Sequence, residues 1–180
     1  METVATLLTL TVAALLVAGA ASDVRTARIP NRLILAGLLL APLAALAGSG
    51  IGGLGTALAA TAVAFAIGFI GFALGAIGGG DAKFLMVGAA IVGLPDLVAF
   101  LLAAGAVGGA LAIGMLVWRR KGLEATVMTL DLAKHAGTLG HKGHRARLGD
   151  ADRLTVPYGV AIAAAALVSL FTPYADWLLR

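Results

Sequence analysis

Long apolar runs separated by short polar segments organise this chain of 180 residues. A run of about 20 apolar residues forms a helix that crosses the roughly 30 Å hydrocarbon core of a bilayer. The pattern predicts six such helices, at about 4–21, 33–47, 54–77, 82–94, 97–118 and 154–171. The predicted fold class is therefore all-α, a polytopic membrane protein with about six transmembrane helices in a single domain over residues 1–180.

The composition excludes a soluble domain. The chain is 61% hydrophobic and 12% charged, whereas soluble domains carry about 25% charged residues. Cysteine is absent, which excludes a disulfide, a thiolate nucleophile and Cys-ligated zinc. The net charge of +4 is attributed to basic loops that face anionic lipid rather than to nucleic-acid binding.

The basic residues lie almost entirely on one side of this topology. Twelve of the 13 Lys and Arg residues fall in the first, third and fifth connections, and Arg180 alone falls on the other side. Loops rich in Lys and Arg remain in the cytoplasm. The pattern therefore predicts that these three connections are cytoplasmic and that both termini are outside.

The second and fourth predicted helices are short. Residues 33–47 and 82–94 would extend only about 20–22 Å at 1.5 Å per residue, less than the hydrocarbon thickness. Irregular backbone at membrane depth is tolerated only where protein or a water-filled cavity surrounds it. The short helices therefore predict a polar recess that opens to the cytoplasm.

Two aspartates stand at the mouth of this predicted recess. Asp23 lies at the end of the first predicted helix, and Asp81 lies at the start of the fourth. Two carboxylates in one site divide the labour of acid–base catalysis, one ionised and the other protonated. The sequence does not assign the proton, since such pairs titrate as a unit. The competing interpretation makes Asp81 a helix N-cap and Asp23 a loop charge.

Three motifs in the polar segments are Asp23-x-Arg25 followed by Ile29-Pro30-Asn31, Gly78-x-Gly80-Asp81-x-Lys83, and Val156-Pro157-Tyr158-Gly159. Together they resemble the type IV prepilin peptidases, which are membrane aspartyl proteases of the GxGD type. The predicted topology is similar to theirs, so the resemblance covers almost the whole chain. It implies that Asp23 and Asp81 are the catalytic pair.

The resemblance also implies supporting residues: Arg25, Pro30, Asn31, Gly78, Gly80 and Lys83. The two glycines would let the backbone bend sharply and approach substrate without a Cβ, and Pro30 would suit a first helical turn. Asn31 would orient water or substrate, or simply start a helix. For the segment 157–159, a kink with an interfacial Tyr is favoured over packing against the recess.

The implied activity is cleavage of the leader from a prepilin or pseudopilin with a hydrophobic N-terminal helix. The implied location is the bacterial inner membrane, with the active site facing the cytoplasm and the lipid bilayer around it. No metal, cofactor or nucleic acid is expected. Longer family members carry an N-terminal region with paired cysteines and also methylate the new N-terminus. This chain resembles the short form associated with Flp/Tad-type pili, which argues against methyltransferase activity.

Two other functions compete with the peptidase. A small ion- or proton-coupled transporter subunit would use carboxylates as a relay, although neither aspartate lies in the middle of a predicted helix. A non-catalytic scaffold of a secretion or pilus apparatus is the other. In the basic loop at about 119–153, the spacing of Leu123, Val127 and Leu130 predicts an interfacial amphipathic helix. The three histidines of the chain, His135, His141 and His144, are interpreted as part of a solvated basic loop rather than as metal ligands.

Overall fold

The computed structural model describes residues 2–75, 77–118 and 157–171. They form five helices: α1 (Glu2–Thr26), α2 (Asn31–Ala73), α3 (Gly79–Val92), α4 (Leu97–Trp118) and α5 (Tyr158–Phe171). No strand occurs in these three stretches. The prediction of an all-α fold is confirmed for these residues, whereas the prediction of six transmembrane helices is not.

Helix α2 contains a reversal of the chain. Its 43 residues would extend about 65 Å as one straight helix. Gly50 interrupts it with φ 64° and ψ −152°, a conformation that favours glycine because no Cβ obstructs it. Residues 31–49 and 51–73 are therefore two arms, which correspond to the second and third predicted helices. The turn predicted at 48–53 is helical apart from Gly50.

The two arms run in opposite directions along α3. In the first arm, Gly37 packs against Val87, and Gly48 lines a cavity together with Ile91. In the second arm, Gly68 packs against Ala82 near the start of α3, whereas Thr56 lies beside Gly93 just after its end. Helix α3 thus lies between the two arms of a helical hairpin.

Three helices have the length and apolar composition needed to cross a membrane, at Glu2–Thr26, Asn31–Ala73 and Leu97–Met115. Helix α5 is apolar but shorter, at Tyr158–Leu170. These helices make the chain a membrane protein. The fourth predicted helix is short as expected, with 14 residues in α3. The second was predicted too short, because the first arm of α2 is helical from 31 to 49.

Helix α3 is the centre of the packing. Phe84 contacts α1 at Gly19, where a Cβ would lie 2.6 Å from the ring, and Phe100 of α4 fills a similar gap over Gly88. Both phenylalanines are almost fully buried. Small residues permit such close approach of membrane helices. Helices on several sides hold α3 in place, and with it the residues of its first turn.

The chain divides into two compact units, one of Met1–Gly108 with Pro157–Arg180 and one of Gly109–Val156. The second unit is described only at residues 109–118, which are helical. The predicted amphipathic helix and the three histidines lie outside the described residues. The prediction of a single domain over residues 1–180 stays a prediction.

Candidate active site

Asp23 lies in the last turn of α1 and is buried, with 6% of its surface exposed. The helix ends three residues later, where Ala27 takes a positive φ of 50°. The hydroxyls of Ser22 and Thr26 donate hydrogen bonds to the carbonyl oxygen of Arg28, at 2.9 and 3.2 Å. These bonds fold the following segment back onto the helix end. The last turn of α1 is thereby fixed around Asp23.

The start of α5 meets Asp23 directly. The backbone N–H of Gly159 donates a hydrogen bond to Asp23 Oδ2 at 2.8 Å. A Cβ at residue 159 would lie 2.9 Å from the same oxygen and 3.1 Å from Ile29 Cδ1, so a larger residue would displace these side chains. The favoured interpretation of residues 157–159 as a kink with an interfacial Tyr is therefore wrong. This segment packs against the carboxylate.

Asp81 occupies the third residue of α3, after the N-cap Gly78. The interpretation of Asp81 as the N-cap is thus wrong, although a carboxylate in the first turn still interacts favourably with the helix dipole. Asp81 precedes the apolar run at 82–94, and its side chain is half-buried. Burial and the negative charge of Asp23 raise the pKa of Asp81 to about 6, against the opposing effect of a hydrogen bond with the Gly78 backbone.

The fold brings the two predicted catalytic carboxylates into one site. The charge of Asp23 acts on Asp81, and the charge of Asp81 acts on Tyr158, the first residue of α5. The ends of α1, α3 and α5 therefore meet at the aspartates. A pair of interacting carboxylates, one buried and one half-buried, has the properties needed for general acid–base chemistry on a shared water molecule.

The two motif glycines have different surroundings. A Cβ on Gly78 would lie 2.9 Å from Asp81 Oδ2, whereas a Cβ on Gly80 would meet nothing within 4 Å. Gly78 is extended, with φ −69° and ψ 148°, and Gly80 is helical. Neither conformation requires glycine, and the expected part of these glycines in a sharp bend and in substrate approach stays a prediction. The positive φ of this segment belongs to Gly75, at 73°.

The other predicted supporting residues lie at the surface of the site. Arg25, Asn31 and Lys83 are exposed. Pro30 is the N-cap of α2, and its carbonyl oxygen accepts a hydrogen bond from the Leu33 N–H at 3.0 Å. Pro30 thus has the helix-starting role that was predicted. The part of these residues in catalysis stays a prediction.

Sequence reasoning missed Gly159 as a partner of Asp23. The hydrogen bond uses a backbone N–H, which every residue except proline has, so side-chain chemistry gives no sign of it. The available signal was a Pro-Tyr-Gly segment at the start of an apolar helix. The first N–H groups of a helix have no partner within it, so a glycine there can bring one of them close to a carboxylate.

An apolar, all-helical chain with two interacting carboxylates at helix ends defines a membrane protein with a candidate acid–base site. Residues 10–113 match the family model described as type IV leader peptidase family. The matched segment is more than half of the chain and includes both aspartates. The chain belongs to the type IV leader peptidase family, a family of peptidases. No similarity to a curated protein or to a solved structure was found.

Proposed function

We propose that the protein is a membrane-embedded aspartyl endopeptidase that removes the leader peptide of prepilin-like substrates at the cytoplasmic face of the bacterial inner membrane. One observation carries the proposal. The fold brings Asp23 and Asp81 together at the ends of α1 and α3, in a chain that belongs to a peptidase family.

Two carboxylates and one water molecule account for peptide hydrolysis. The ionised carboxylate takes a proton from water as the water oxygen attacks the scissile carbonyl carbon. The protonated carboxyl gives its proton to the carbonyl oxygen, which yields a neutral tetrahedral diol. The carboxyl formed in the first step then protonates the departing nitrogen, and the other carboxylate recovers the diol proton as the C–N bond breaks. The products are a carboxyl group and an amine, and both aspartates return to their starting states.

The packing supports the proposed topology. Asp23 at the end of α1, Asp81 at the start of α3 and Gly159 at the start of α5 meet at one end of the helices. With the two arms of α2 as separate spans, this is the end at which the sequence places the basic first, third and fifth connections. A substrate whose hydrophobic helix lies in lipid and whose basic leader lies in water would present its scissile bond at that level.

The position of the carboxylates favours a peptidase over a proton-coupled transporter. A relay needs ionisable groups along a path through the membrane, whereas both aspartates lie in the terminal turn of a helix. A scaffold gives no reason for burying Asp23, because burial of a charge is costly unless the charge is paired or hydrogen-bonded.

Co-expression with a candidate prepilin tests the proposal. The wild-type chain is expected to produce a single cleavage between leader and hydrophobic helix, identified by the intact mass of the product. Asp81→Asn should leave the precursor uncut, since an amide cannot donate the required proton. Asp96→Asn, between α3 and α4, is the matched control and should cleave as the wild type does. Cleavage by Asp81→Asn at the wild-type rate would refute the peptidase proposal.

A further inference from the structure

The hydrogen bond between Gly159 and Asp23 makes the surroundings of the two aspartates different. Gly159 is the second residue of α5, and its N–H donates to Asp23 Oδ2 at 2.8 Å. Both residues are buried. A hydrogen bond donated to a carboxylate stabilises its charged form, and such bonds are stronger where water is excluded. The positive end of the helix dipole adds to this effect in the first turn.

Asp81 also accepts a backbone hydrogen bond at the start of a helix, but other influences outweigh this bond. Its carboxyl is partly buried next to the negative charge of Asp23, and both conditions favour the protonated form. The hydrogen bond with the Gly78 backbone lowers the pKa of Asp81, but by less than burial and the charge of Asp23 raise it. Two neighbouring carboxylates that differ in this way share one proton unequally.

We propose that Gly159 is a positioning residue whose backbone N–H keeps Asp23 ionised, so that Asp23 takes the proton from the attacking water and Asp81 delivers the proton to the carbonyl oxygen. The inference rests on the proposed function and adds the assignment of acid and base. It also gives the Pro157-Tyr158-Gly159 segment a defined task. Glycine suits this position because a Cβ there would lie 2.9 Å from Asp23 Oδ2 and would displace the carboxylate.

The other charged groups around Asp23 lie at the ends of three helices, and the cations among them are exposed to solvent. On its own helix end, Arg25 and Arg28 are exposed. Helix α3 contributes Asp81 and the exposed Lys83. Helix α5 contributes Tyr158, whose ring packs over Gly108 of α4. Water screens exposed cations, whereas the Gly159 N–H contacts the buried carboxylate directly.

An amide-to-ester exchange removes the N–H without adding a side chain. Gly159→Ala is a poor probe, since its Cβ would collide with Asp23. Replacement of residue 159 by glycolic acid, through suppressor-tRNA translation of the full chain into liposomes, retains the size and shape of glycine. The matched control is the corresponding ester at Val160, whose N–H donates to the Pro157 carbonyl oxygen at 3.1 Å and not to the aspartates.

The readout is the pH profile of kcat/KM for a synthetic substrate with a basic leader and an apolar helix. Loss of the donor removes a hydrogen bond that stabilises the charged form of the Asp23 carboxylate. The acid limb of the ester-159 profile should therefore move upward by about one to two pH units, and the ester-160 profile should keep its acid limb. A uniform loss of rate with an unmoved acid limb would show a merely structural role and overturn the proposal.

Infrared titration locates the proton without any substrate. The absorption of the protonated carboxyl group is followed from below to above pH 6, the approximate pKa of Asp81. The band should vanish in Asp81→Asn and persist in Asp23→Asn, where it should titrate at lower pH because the Asp23 charge is gone. The reverse pattern would overturn the assignment. The infrared measurement assigns the proton even if no variant cleaves the substrate. A complete lack of cleavage would refute the proposed function but not the assignment of the proton.

Discussion

The helices that meet at Asp23 and Asp81 pack closely at that end and leave a cavity at their other ends. At the aspartates, Gly159 and Gly78 leave no room for even a Cβ beside the carboxylates. At the opposite ends, α1, the first arm of α2, α3 and α5 line an open cavity of about 430 Å³. Its lining consists of small and apolar residues with a few hydroxyls: Ala5, Thr6, Thr9, Leu10, Ala13, Ala44, Ala45, Gly48, Ser49, Ile91 and Leu170.

The two regions handle polar groups differently. In the cavity lining, the Thr6 hydroxyl donates to the Glu2 carbonyl oxygen of its own helix at 2.9 Å. At the aspartates, the backbone N–H of Gly159, from a helix far along the chain, donates to the buried Asp23 carboxylate. The surroundings of the aspartates are thus tightly packed and hydrogen-bonded between helices, in contrast to the cavity at the opposite ends.

Lengthening either carboxylate should nearly abolish cleavage. In Asp23→Glu and Asp81→Glu the added methylene displaces a carboxylate that has little space, and a misplacement of about 1 Å can cost about 100-fold in rate. The measurement is kcat/KM of purified variants in proteoliposomes, with Asp96→Glu as the control. Retention of the wild-type rate by either glutamate variant would mean that the dyad does not depend on tight packing.

The two motif glycines should respond unequally to alanine. In Gly78→Ala the new Cβ would lie 2.9 Å from Asp81 Oδ2, so the carboxylate must move and the rate should fall roughly tenfold or more. In Gly80→Ala the Cβ enters open space. The activation free energy of cleavage should therefore change by no more than about 0.5 kcal/mol, which corresponds to about twofold in rate. Equal losses in both variants would show that glycine serves substrate approach rather than the position of Asp81.

The pH dependence of cleavage should reflect the proton on Asp81. Its pKa is raised to about 6, so the protonated form predominates below that value and is lost above it. If Asp81 is the acid, kcat/KM should fall about tenfold per pH unit well above this pKa. Asp96→Asn should leave this limb in place. A rate that stays constant through this range would contradict the role of Asp81 as the proton donor.

Changes in the opposite cavity should have the smallest effect. Ala13→Val places two methyl groups into a cavity that can accommodate them, and filling such a space commonly stabilises a protein by about 0.5–2 kcal/mol. Thermal denaturation in detergent should show an equal or higher Tm, with kcat/KM unchanged. Loss of activity without loss of stability would assign the cavity a function that the contrast does not give it.

The sequence predicts the helices well and their contacts poorly. Apolar runs locate α1, α4 and the two arms of α2 because membrane helices satisfy their own backbone groups, and α4 begins and ends as predicted. The runs do not show that Gly50 alone reverses α2 while its neighbours stay helical, since that depends on one torsion angle.

In the candidate site, too, the sequence predicts the residues but not their contacts. Asp23 and Asp81 could be predicted because carboxylates near apolar helix ends stand out in a chain with few charges. The role of Gly159 could not, because it depends on where α5 packs and on a backbone N–H. The surroundings of Gly78 and Gly80 likewise follow from the orientation of the Asp81 side chain rather than from the motif.

The most direct test compares the two single amide variants with the double variant. Cleavage of a prepilin-like substrate is measured in proteoliposomes for Asp23→Asn, Asp81→Asn and the pair. If the two aspartates form one catalytic unit, each single variant should fall to the background rate, and the double variant should be no slower, because members of such a unit are not additive. Substantial cleavage by either single variant, with a further loss in the double variant, would contradict the shared site.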